Sequence, residues 1–219
     1  MPTTTTWRRI TVWLHVLTSV GWAALAASLA VLQVSGADPA DRGAALSGAH
    51  HLDSVLLAPL AAGSALTGMV LAAATPYGFL HHRWVATKLA ITLVQLYLGI
   101  GVISVRLDAA HADPAGPLPP ELLPLTLLMV AAIAFQAWLS VDKPWGRTRW
   151  SAGRPRPVTG PRWMFAAASA AVVADLVAGF ALGHPAPVAS VVVLVAVLVG
   201  RTRATLSRGR RAGSTSPAT

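Results

Sequence analysis

The chain has 219 residues, of which 54% are hydrophobic and 11% charged, and its mean hydropathy is +0.59. A water-soluble domain carries charge on about a quarter of its residues, so a soluble globule and a disordered chain are both excluded. Cysteine is absent, which removes disulfides, thiolate metal sites and cysteine nucleophiles, and 17 Lys and Arg against 8 Asp and Glu leave a net charge of +9.

A helix needs about 20 apolar residues to cross a bilayer. Residues 1–9 carry Arg8 and Arg9 and precede the uncharged run 10–34, which is too long for the apolar stretch of a signal peptide. Further runs follow at 54–80, 84–105, 122–141 and 163–183, interrupted only by Lys88 and Asp175. A sixth run, 188–200, is shorter and rich in valine, and spans only if its flanks reach the interface by snorkelling or local thinning. The expected fold is therefore all-α, a polytopic membrane helix bundle of six transmembrane helices. Its expected parts are a cytoplasmic N-terminus (1–9), a four-helix core (10–141), a basic linker (142–162), a C-terminal helical hairpin (163–200) and a disordered basic tail (201–219).

Charge along the chain sets the orientation. The first and third connections hold Asp38, Asp41, Asp53, Asp108, Asp113 and Glu121, with Arg42 and Arg106 as their only cations. Every other Lys and Arg falls in the N-terminus, the second and fourth connections, the tail, or just inside a helix from them. By the positive-inside rule both termini face the cytoplasm. Trp7, Trp84, Trp145, Trp150 and Trp163 fall at the same boundary, where indoles favour the headgroup region. The expected partners are the lipid bilayer and the anionic phospholipid headgroups met by linker and tail, together with a membrane-protein partner or a second copy of the chain. No recognition motif accompanies the charge, so nucleic acid is not an expected partner.

Polar side chains inside spans point to function, because each is costly in hydrocarbon. His15 lies six residues past Arg9, Lys88 five past Arg83, and Gln136 six before Asp142, so each is about 7–9 Å from the cytoplasmic edge. A pocket built from His15, Lys88 and Gln136 is the expectation, with Trp22 on the His15 face at i+7. The competing readings are an imidazole bonded between helices, a snorkelling lysine and a glutamine that ties helices together. Asp175 lies about 20 Å in; it is expected to tie the hairpin to the bundle by hydrogen bonds, with a proton carrier as the alternative. On the outer side, His50, His51 and His111 beside Asp53, Asp108 and Asp113 form a weak metal signal with no tight ligand spacing.

Leu14-His15 with Trp22 resembles the first helix of copper-resistance protein D-like membrane proteins. Trp84-Val-Ala-Thr-Lys88-Leu resembles the third helix of HemJ-type membrane protoporphyrinogen oxidases. The latter resemblance implies a role for His15 and Lys88 in binding haem b or a porphyrin. The Tyr-His that follows the Lys helix in those oxidases is replaced here by Gln95-Leu-Tyr97-Leu-Gly99. Leu66-Thr67-Gly68, Thr75-Pro76-Tyr77-Gly78, His82-Arg83-Trp84-Val85 and Lys88-Leu89 are similar to a family of uncharacterised, largely actinobacterial multi-pass membrane proteins. The expected role is thus a bacterial plasma-membrane protein, non-enzymatic or an assembly subunit, with no certain cofactor. The alternatives are a haem- or porphyrin-binding redox protein and a small metal-ion transporter.

Overall fold

The computed structural model describes residues 2–151 and 157–213, with side chains through residue 204. Regular structure among them is helical. α1 (Thr4–Ser35) opens on Thr3, whose hydroxyl accepts the Thr6 N–H at 3.2 Å, a side-chain N-cap. α2 (Arg42–Leu52) continues through a π-helical turn (Asp53–Leu57) into α3 (Ala58–Ala74). α4 (Arg83–Leu98) continues through a second π turn (Gly99–Ser104) into α5 (Val105–Ala112). α6 (Leu122–Asp142), a single 3-10 turn (Arg149–Ser151), α7 (Arg162–Leu182) and α8 (Val188–Gly213) complete the chain. Counted through the π turns, Thr4–Ser35, Arg42–Ala74, Arg83–Ala112, Leu122–Asp142 and Arg162–Leu182 are long and apolar enough to cross a membrane. The expected all-α bundle is what forms, with α8 as the sixth long helix.

Several boundaries differ from the sequence expectation. The second span is helical from Arg42 and ends at Ala74, not at residue 80, because Thr75 precedes Pro76 and is driven to an extended conformation (φ −122°, ψ 167°). The third span runs on to Ala112 and stops where Asp113 precedes Pro114. Outer connections expected to be loops are thus largely helical. Residues 201–213, expected to be disordered, extend α8; five of the thirteen are Arg, a good helix former. Residues 214–219, with the linker's Arg154 and Arg156, lie outside the described residues.

α1 and α3 occupy the centre. α1 packs on α3, α6 and α7, and α3 on α7 and α8. The hairpin is therefore built into the bundle, whereas α4 is peripheral and packs mainly on α6. Two apolar clusters fill the interior. Trp22, Leu29, Leu46, Leu107, Met129 and Ile133 form one, and Leu66, Val70, Met164, Phe165, Val172 and Val197 form the other. Close α1–α3 approach rests on small residues. A Cβ added to Gly68 would stand 3.0 Å from His15 Cε1, so the imidazole lies directly on that glycine.

The ends of the bundle are sorted by charge. At one end the α3–α4 connection is bonded to the α6–α7 connection, with Thr148 N donating to His81 O at 2.9 Å and Arg83 N to Gly146 O at 3.3 Å. Arg201 Nη1 donates to Val158 O there at 3.0 Å. At the opposite end Arg42 Nη1 donates to Gly116 O at 3.1 Å, and Arg106 pairs with Glu121 at 3.2 Å.

Candidate functional site

His15 is set by α3. Its Nδ1 lies 3.1 Å from both Ser64 O and Thr67 Oγ1. A carbonyl only accepts, so Nδ1 carries the hydrogen; in the neutral ring Nε2 then presents a lone pair. Nε2 makes no hydrogen bond among the described residues. The Thr67 hydroxyl donates to Gly63 O at 2.7 Å, and Ser19 joins Ser64 Oγ at 2.7 Å. This seam holds the ring's position and tautomer at once, as outer partners do for a ligating histidine.

Lys88 belongs to a second seam between α4 and α6. Its Nζ donates to Ser140 Oγ at 2.6 Å, and Ser140 Oγ donates to Gln136 O at 2.9 Å. One turn deeper, Gln136 Nε2 donates to Gln95 Oε1, Thr92 Oγ1 donates to Gln136 Oε1 at 2.9 Å, and Gln95 Nε2 donates to Met129 O at 3.1 Å. Lys88 is near enough to act electrostatically on His15. The expected convergence is thus partial. Lys88 and Gln136 meet through Ser140, and His15 faces them across the bundle while bonded to α3. Trp22 does not join them; it is 4% exposed in the apolar core, about 10 Å further along α1. Sequence reasoning passed over Ser140, although it sits at i+4 from Gln136 on the same face.

Asp175 has a different partner from the one expected. Both its oxygens accept backbone N–H groups of α8's first turn, Ala189 at 3.0 Å and Ser190 at 2.8 Å. It caps α8 and closes the hairpin on itself instead of tying it to the bundle.

At the acidic end, His50 Nδ1 pairs with Asp108 Oδ1 at 2.9 Å, and its ring stacks on His111 at 4.7 Å between centroids. Ser104 Oγ donates to Asp53 Oδ2 at 2.7 Å, which joins the two π turns. His51 is exposed and shares neither contact. Among the described residues no three His, Asp or Glu side chains are placed to hold a metal ion, so the weak metal signal of the sequence is not matched by a ligand set there.

At the basic end, the 143–151 segment is tied down by Thr148 Oγ1 donating to Leu80 O at 2.5 Å and Ser151 Oγ to His81 O at 3.0 Å. Beside it, Arg83, Ala86, Thr87, Trp145, Thr148, Arg149 and Trp150 line a cavity of about 450 Å³. A second cavity, of about 280 Å³, is an apolar groove between α4 and α6. Neither is lined by His15 or Lys88.

No family model, no curated protein and no solved structure matches the chain.

Proposed function

We propose that the chain is a multi-pass protein of the bacterial plasma membrane with both termini in the cytoplasm. We further propose that it binds rather than catalyses, alone or as a subunit of a larger assembly. His15 and Lys88, in the layer that also holds Gln136, are the groups that would meet the ligand. One observation carries this reading: a buried-side imidazole fixed through Nδ1 on a backbone carbonyl, its Nε2 unpartnered and a lysine across from it.

The same observation supports haem b or a porphyrin as the ligand class, in line with the family resemblance. His15, oriented through Nδ1, would hold the haem iron through Nε2. Lys88 fits a propionate, exchanging its bond to the Ser140 hydroxyl for a charged one. Haem when bound would supply one-electron redox chemistry. The protein's own part is to fix the imidazole through Ser64 and Thr67 and to offer the ammonium. The Gln136 side chain is held in the seam by Gln95 and Thr92, and its backbone carbonyl accepts the Ser140 hydroxyl.

Haemin titrated into the full chain in detergent tests this. One equivalent is expected to give a Soret band, which His15→Ala abolishes and Lys88→Gln weakens by about tenfold, the worth of one charge-assisted bond. Identical titrations of wild type and His15→Ala would remove the haem reading. Membranes carrying the protein are expected to form protoporphyrin from protoporphyrinogen no faster than empty membranes, and a His15-dependent rate would show an enzyme instead.

A further inference from the structure

The cavity at the basic end uses none of the His15 layer. Its floor is the first turn of α4, where Arg83, Ala86 and Thr87 share one face at i, i+3 and i+4. Its wall is the pinned segment carrying Trp145, Thr148, Arg149 and Trp150. At about 450 Å³ it falls within the range of small-ligand pockets, about 300–1,000 Å³.

Its chemistry is one-sided. Two guanidiniums line it and no carboxylate does. Neither the Arg83 nor the Arg149 side chain makes a hydrogen bond or ion pair among the described residues. The start of α4 has no side-chain cap, so its N-terminal partial positive charge adds to theirs. Paired forks of N–H donors match the tetrahedral oxygens of phosphate. The Thr87 hydroxyl and the two indole N–H groups are further donors. Trp145 and Trp150 are exposed, 39% and 70%, at the level where indoles meet lipid headgroups.

We propose that this cavity binds a phosphate group between Arg83 and Arg149, supplied by the phosphodiester of an anionic phospholipid or by free phosphate. The cradle is assembled by Thr148 and Ser151, whose bonds to the 80–81 backbone hold Arg149 opposite Arg83. Occupation of the site would tie the α6–α7 connection to the peripheral helix α4.

The test uses the full chain in neutral detergent and follows tryptophan fluorescence. Phosphatidylglycerol, phosphatidylcholine and inorganic phosphate are titrated in separate arms. A saturable response to phosphatidylglycerol alone assigns the site to a lipid headgroup, and one to inorganic phosphate assigns it to the free ion. In either case Arg83→Gln/Arg149→Gln is expected to weaken binding by about tenfold or more, and Arg203→Gln, which removes one charge outside the cavity as Arg149→Gln removes one inside it, to leave it intact. Arg149→Gln alone, which deletes no hydrogen bond or ion pair among the described residues, serves where the double variant loses helical circular dichroism. The proposal is overturned if no arm saturates, if the Arg83/Arg149 variants bind like wild type, or if Arg203→Gln weakens binding equally.

Discussion

At the scale of single residues, the position of the His15 ring depends on the absence of one carbon atom. Gly68 lies under the imidazole, and a Cβ there would approach Cε1 to 3.0 Å, tighter than ordinary contact. Gly68→Ala leaves every donor and acceptor in place yet displaces the ring from Ser64 O and Thr67 Oγ1. It is expected to weaken haemin binding several-fold with helical content unchanged, read as the shifted midpoint of the Soret titration. Unaltered affinity would show that the orientation of the ring is irrelevant. His15 and Lys88 were legible from sequence because charge counted from Arg9 and Arg83 gives depth through the rise per residue. What depth leaves open is azimuth. His15 turns to α3 and Lys88 to α6; Ser64 and Gly68 stand out in the sequence as a small-xxx-small pair that allows close helix approach, but that spacing does not say which helix they face, and Ser140 has no such signal.

At the scale of elements, α8 shows how one carboxylate sets where a helix begins. Gly183 adopts φ +71°, a left-handed conformation that glycine takes without a Cβ clash, and it turns the chain back along α7. His184 O would lie 3.9 Å from a Cβ on Gly179, so the connection folds against α7's last turns instead of standing clear of them. α8 then opens beside Asp175, seven residues before Leu182, which is about 10 Å below the end of α7. A run of apolar residues too short for a full crossing thereby starts already inside the bundle, and this accounts for the length of 188–200 without bilayer thinning. Asp175→Ala leaves two first-turn N–H groups without acceptors and is expected to cost about 1–2 kcal/mol. Thermal unfolding in detergent should show a lowered Tm, with Asp175→Asn between the two; an unchanged Tm in Asp175→Ala would mean the cap contributes nothing. Sequence placed Asp175 at depth but not its partner, because backbone N–H groups at a helix start carry no side-chain signature.

At the scale of the whole molecule, charge asymmetry and bundle geometry agree on which ends meet. The connections rich in Arg and Lys hydrogen-bond one another at one end, and the acidic connections do so at the other. Helix number and alternation were legible because apolar length is a one-dimensional property. The placement of α7 and α8 against α1 and α3 was not, because it depends on which small residues face each other across chain separations of about a hundred or more residues. Which side of the membrane each end occupies is proposed from the positive-inside rule, and the cysteine-free chain makes that proposal directly testable. Single cysteines at Ala37 and Ala115, both exposed at the acidic end, are expected to react with an impermeant maleimide in intact cells. Those at Gly146, where nothing lies within 4 Å of an added Cβ, and at the exposed Thr159 should react only after permeabilisation. Arg203→Cys tests α8 separately. A helix that starts at the level of Asp175 and runs towards the basic end must place residue 203 on the side of Gly146, so the two cysteines should label together. Labelling of position 203 with Ala37 would mean that α8 does not complete the sixth passage, and labelling of Gly146 in intact cells would invert the whole molecule.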